Sequence, residues 1–200
     1  MAVSPDPPTE GARIFISYSR RDCLELADAL FDGLTLARFR PFLDREGISY
    51  GEKWRERLSA EIEAADTILF VISPAAVGSE ICEWEVAHAI ELGKRIVPVY
   101  GLDTDHAAMP QNLRDRNYID FRPNQNRFAR LRELDSTLRR DEAWIRQHPR
   151  LTEQALLWRN TGASDDGLLT GARLREAEAW AETRPAEAPR ARGSSLRHDP

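Results

Sequence analysis

Cysteine is scarce in this chain of 200 residues: only Cys23 and Cys82 occur. Two cysteines cannot make a disulfide framework, which points to a reducing compartment, the cytoplasm. Long apolar runs are missing too. The longest, TILFVI at 67–72, falls far short of the roughly 20 residues that cross a bilayer as a helix. The opening MAVSPDPPTEGA has no basic stretch followed by an apolar one, so no secretory signal is expected. An excess of positive charge is also absent. With 28 basic and 33 acidic residues the net charge is −5, which offers no electrostatic footprint for a nucleic-acid backbone. The 4 histidines are scattered and the 2 cysteines lie far apart, so no metal-ligand spacing arises. A soluble protein without nucleic-acid, membrane or metal partners is expected.

Several catalytic signatures are absent as well. There is no G-x-x-x-x-G-K-[ST], which excludes a P-loop NTPase. The first apolar run leads into SYSRRD rather than G-x-G-x-x-G, so the dinucleotide-binding turn is lacking. The acidic cluster of a phosphate-receiver domain is replaced by Ser19-Arg20-Arg21, with Ser73-Pro74 after the third apolar run. No G-x-S-x-G nucleophile elbow occurs.

What is present reads as a globular chain, 42% apolar and 30% charged, long enough for one domain with an appendage. Residues 1–11 and 184–200 are rich in proline, glycine and charge without periodicity and are expected to be disordered. Between them strands alternate with helices. Strands are expected at 13–17, 40–43, 67–72, 95–100 and 118–121, of which 67–72 is apolar throughout and therefore covered on both faces. Pro98 counts against a central position for its strand or marks a bulge. Helices are expected at 22–39 with Asp22 near the N-cap, at 54–65, at 79–92 with Gly93 as C-terminal cap, and at 125–139. Two more helices are expected at 141–160 and 167–182. The alternation predicts an α/β fold in which a parallel sheet carries helices on both faces. Ligands of such sheets bind beyond the C-terminal strand ends, here the loops 17–21, 44–54, 73–82 and 100–105.

Three segments in order carry a family resemblance: RIFISYSRRD, then FLDREGISYGEKWRERLSAEIEAADTILFVISP, then SEICEWEVAHAIELGKRIVPVY. They resemble the Toll/interleukin-receptor (TIR) family over about residues 11–140. The first matches the family's strand running into Ser-Tyr-Ser and an acid. The second matches the long BB loop with its glycine pair, a helix and the central strand ending in Ser-Pro. The third matches Ser-x-x-Cys-x-x-Glu and the strand after Gly-Lys-Arg. Many NAD-cleaving members have Trp-Cys-x-x-Glu, whereas Ile81 stands at that Trp here and a tryptophan, Trp84, directly precedes the acid. Cys-x-Trp-Glu is similar to the variant in bacterial TIR proteins fused to large sensor modules. The segment WIRQHPRLTEQALLWRN…LLTGARLREAEAW resembles the part that precedes the sensor in those fusions. The resemblance thus implies a TIR domain at 12–140, a helical extension at 141–183 and possible membership of a larger protein.

The implied fold is a flavodoxin-like three-layer sandwich with a five-stranded parallel sheet plus the C-terminal helical extension. The implied activity is that of an NAD⁺ nucleosidase in bacterial defence or stress signalling, yielding nicotinamide with ADP-ribose or a cyclic ADP-ribose. NAD⁺ would be the substrate and no cofactor is needed. Glu85 is the implied catalytic carboxylate. Ser17, Tyr18, Arg20, Asp44, Gly47, Trp54, Ser73 and Cys82 are the candidate substrate-binding residues, with Trp54 available to stack on an aromatic ring. The BB loop, 44–54, is the expected surface for self-association. The alternative is a non-catalytic TIR–TIR adaptor or mimic, which Ile81 favours. Plainer readings attach to several neighbours: Glu83 and His88 as helix surface, Arg20 and Arg21 as solvated, Cys82 as a small buried hydrophobe.

Overall fold

The computed structural model describes residues 11–44, 54–109, 111–114, 116–140, 142–162, 164 and 167–183. The expected disordered tail, and all but Gly11 of the leader, lie outside the described residues.

Five parallel strands form one sheet: β1 (Arg13–Ser17), β2 (Arg40–Leu43), β3 (Thr67–Ile72), β4 (Arg95–Tyr100) and β5 (Ile119–Asp120). Their order is β2-β1-β3-β4-β5. The helices are α1 (Leu24–Leu36), α2 (Trp54–Ala64), α3 (Pro74–Val77), α4 (Glu80–Glu91), α5 (Gln111–Arg114), α6 (Arg127–Arg139), α7 (Glu142–Asn160) and α8 (Gly171–Glu182). Strand β3 shows why the sheet is sandwiched. All six of its residues are buried, and successive side chains go to opposite faces. Leu69 and Val71 join Leu30 and Leu34 of α1 and Leu134 and Leu138 of α6. Ile68, Phe70 and Ile72 join Leu58 and Ile62 of α2 and Val86 and Ala89 of α4. Helix–sheet–helix layering with this strand order is the flavodoxin-like arrangement, as expected. The chain moves outward from β1 to β2 and then reverses to β3, so its topological switch point lies between β1 and β3, where open α/β sheets gather ligands.

Several local expectations are corrected. Helix α1 stops at Leu36 rather than running to 39, because Arg38 turns into the left-handed region at φ 68° and Phe39 is buried ahead of β2. Its N-cap is Cys23, not Asp22, and no side chain caps it. Pro98 neither displaces its strand from the sheet interior nor makes a bulge: β4 lies between β3 and β5, and Pro98 stays in register opposite Phe70, one residue before β5 joins β4 at Val99. On the β5 side its missing N–H therefore interrupts no ladder. Helices α3 and α5 and a 3₁₀ turn at His106–Ala108 are too short to produce a periodic signal.

The turn from α4 into β4 is tightly made. Gly93 takes φ 64° just past the helix end, the left-handed position that glycine fills at lowest cost. A Cβ there would stand 2.9 Å from Cε1 of His148 in α7. The next residue, Lys94, is buried, and its Nζ donates to the carbonyls of Glu63 at 2.5 Å and Ala65 at 2.9 Å, closing the end of α2. Trp144, Ile145 and His148 of α7 are buried. Helix α8 meets α7 through Trp180, whose ring lies 4.6 Å from that of Trp144. Each indole N–H donates to the other residue's carbonyl, at 3.0 and 3.2 Å.

Candidate active site

The switch point brings β1 and α4 together. Strand β1 ends in Ser17, 1% exposed. Helix α4 starts at the same end of the sheet because Ser79 caps it, accepting from the Cys82 N–H at 3.4 Å. Residues three apart on a helix share a face, so Cys82 and Glu85 both turn inward, at 3% and 6% exposure. Ser17 Oγ donates to Glu85 Oε2 at 2.6 Å. Burial raises the Glu85 carboxyl from 4.5 to about 7; the Ser17 hydrogen bond pulls the other way, and the Asp44 carboxylate adds to the rise. Desolvation opposes the charged form, so this is a carboxylate held near its own titration point by the fold.

The two thiols behave as packed apolar groups. Burial, helped by the Glu85 carboxylate, pushes Cys82 up to about 11, and burial with Asp22 does the same for Cys23. Cys82 Sγ donates to the Tyr18 carbonyl at 3.5 Å. A thiol that stays protonated is a poor nucleophile. Neither cysteine should react measurably with a disulfide reagent at pH 7.5 within the time in which denatured protein is fully modified; rapid native labelling would contradict their burial.

Asp44, just after β2, organises the outer part of the site. Its carbonyl accepts from the Tyr18 hydroxyl at 3.1 Å and from Arg20 at 2.7 Å. Its carboxylate accepts from Arg57 at 2.8 Å and lies 3.7 Å from Arg20. Arg20, though exposed, is thus anchored. Burial raises the Tyr18 hydroxyl above its ordinary 10.0, so it remains a protonated donor. Ser73 is fully buried and faces a different partner: it donates to Asp22 Oδ1 at 2.8 Å and caps α3 by accepting from Ala76 N–H at 3.1 Å. The other Asp22 oxygen accepts from Ala75 N–H at 2.9 Å.

Of the expected residues, the fold thus joins Ser17, Tyr18, Cys82 and Glu85 directly and adds Arg20 and Asp44 around them. Ser73 belongs to a neighbouring tie. Gly47 and the side chain of Trp54 lie outside the described residues. Asp22 and Arg57 were missed as members of these networks; an arginine beside the buried stripe of a helix gives no signal of its partner. Ile81 packs against the α2/α4 core and Trp84 stacks on His88 at 5.2 Å. His88, expected on the surface, is half-buried where α4 faces α2, its Nε2 2.8 Å from Ser59 Oγ. Among the described residues no helix is long and apolar enough to cross a membrane.

Known proteins resemble the chain in sequence and fold. The TIR domain family pattern matches residues 14–134. The chain is 30% identical over 128 residues to the probable 2′ cyclic ADP-D-ribose synthase BdTIR of Brachypodium distachyon, covering 62% of this chain and 57% of that protein. A metazoan TIR-STING receptor from C. gigas, solved in complex with 2′,3′-cGAMP, superposes with a TM-score of 0.52 at 20% identity, over 82% of this chain and 55% of the receptor. A second structure of such a receptor from C. gigas gives a TM-score of 0.51 at 18% identity, over 68% of this chain and 43% of the receptor. The chain therefore spans about half the length of these relatives. With the family pattern covering more than half of it, and the flavodoxin-like sheet and the Ser17–Glu85 pair where that pattern runs, the chain belongs to the TIR domain family.

Proposed function

We propose that the chain is an NAD⁺ nucleosidase that breaks the nicotinamide–ribose bond, with the Glu85 carboxylate as its catalytic group. The observation that carries this reading is the buried Glu85–Ser17 pair at the sheet's switch point. Ordinary glycosidases need two carboxyl groups, one to protonate the leaving oxygen and one to stabilise the oxocarbenium-like sugar. The nicotinamide of NAD⁺ is already cationic and leaves neutral, so the acid is dispensable. One anion beside the ribose orients its hydroxyls and offsets the positive charge that develops. Tyr18, Arg20 and Asp44 stand around it to hold substrate. The likeness to a probable 2′ cyclic ADP-D-ribose synthase supports a cyclised ADP-ribose as product, with linear ADP-ribose as the competing outcome. The two unpaired thiols fit a cytoplasmic setting, and bacterial defence or stress signalling is the proposed role.

Self-association through 44–54 would complete the site, so turnover per molecule should increase with protein concentration and with a crowding agent. Because the anion is the working form, turnover should also rise with pH through about 7 and then level off. Both are read from NAD⁺ consumption by the purified protein. Absence of turnover at every concentration, beside a measurable complex with a second TIR domain, would favour the adaptor reading that Ile81 raises.

A further inference from the structure

We propose that Ser17 is a positioning residue for Glu85: its hydroxyl, donated to Oε2, fixes the rotation of the carboxyl group and selects which oxygen faces the substrate. This rests on the reading of Glu85 as the catalytic carboxylate. Ser17 was expected to touch substrate, but the geometry assigns it elsewhere. Its side chain is 1% exposed, and its O–H is spent on a 2.6 Å bond to Oε2. A carboxyl group has a broad, two-fold terminal torsion, so a helix backbone alone does not fix which oxygen is presented. The fixing hydroxyl comes from β1, the strand beside β3 at the switch point and hydrogen-bonded to it. It therefore ties the orientation of the carboxyl to the rigid sheet rather than to the loops around the site. Cys82, on the same inner face, hydrogen-bonds the Tyr18 carbonyl, so β1 and α4 are stitched at two adjacent places.

A hydroxyl that donates to a carboxylate favours the ionised form. Removing it should disturb both orientation and ionisation, and the two can be measured separately. In Ser17→Ala, the ¹³Cδ resonance of Glu85, assigned by its loss in Glu85→Gln, should report a proton affinity about tenfold higher than in the parent. NAD⁺ turnover should drop roughly ten- to hundredfold in kcat at pH 7 with KM little changed, and part of the loss should be regained at pH 9 as Glu85 ionises. Ser17→Thr, which keeps the hydroxyl and suits a strand, should return the titration towards that of the parent. An unchanged Glu85 titration in Ser17→Ala would overturn the proposal, as would a loss of turnover of the same factor at every pH. If Ser17→Ala fails to fold, failure of Ser17→Thr to preserve the parent titration overturns it instead. Should the protein cleave no NAD⁺ at all, the titration still decides whether Ser17 governs this carboxyl, and the functional reading fails separately.

Discussion

Glu85→Gln is expected to lose NAD⁺ turnover by about a hundred- to a thousandfold while melting at a higher temperature than the parent at pH 8. The first effect removes the only anion assigned to the developing cation; loss of such electrostatic stabilisation is typically worth two to three orders of magnitude. The second follows from the cost of burying that anion. The folded protein holds the Glu85 proton up to about pH 7, whereas an ordinary glutamate releases it near 4.5. Below about pH 4.5 both states are protonated and the group is neutral to stability. As pH rises from there through about 7, the unfolded state binds fewer protons, so stability falls. Each tenfold in proton affinity is about 1.4 kcal/mol, making the full penalty about 3 kcal/mol above pH 7. Glutamine keeps the shape and accepts the Ser17 hydrogen bond without ionising. Near pH 4 the two proteins should melt alike; at pH 8 the variant should lead by roughly 6–12 °C. Equal melting temperatures at pH 8 would mean that the carboxylate is better solvated than its 6% exposure implies.

Lys94→Met should lower the melting temperature by a similar amount. Lys94 is 6% exposed and its ammonium closes two carbonyls, those of Glu63 and Ala65, at the C-terminal end of α2, where the helix dipole is negative. Methionine fills the volume but leaves buried acceptors without their cation, a loss of about 2–4 kcal/mol. Thermal melting with a Lys94→Arg control reads the effect; a Lys94→Met protein as stable as its parent would show that the ammonium only offsets its own desolvation. These two substitutions act in opposite senses. One removes a charge that the fold holds at a cost, and the other removes a charge the fold uses.

What the sequence disclosed follows the range of its interactions. The run TILFVI announced a doubly covered strand because burial on both faces leaves no polar alternation to hide it. Cys82 and Glu85 share a helix, so their spacing alone placed both side chains on one face. Asp22 was misjudged because its partners, Ser73 and Ala75, are brought to it only when β1 and β3 lie side by side; the local pattern offered it a helix to cap. His88 looked like surface because its partner Ser59 belongs to α2, not to its own helix. Arg38 could not be anticipated at all, since an arginine carries no sign that it will take a positive φ.

The paired indoles of Trp144 and Trp180 bear on how the C-terminal helices can move. Ring stacking at 4.6 Å and two crossed hydrogen bonds form one latch, not a row of independent contacts. Such a latch is shut or open. Helix α8 is exposed along most of its length before Trp180, so its earlier turns are free to fray while the latch holds, and α7, with His148 beside Gly93, stays seated at the elbow that leads from α4 into β4. The last turn of α8 is therefore tied to the domain more firmly than its first.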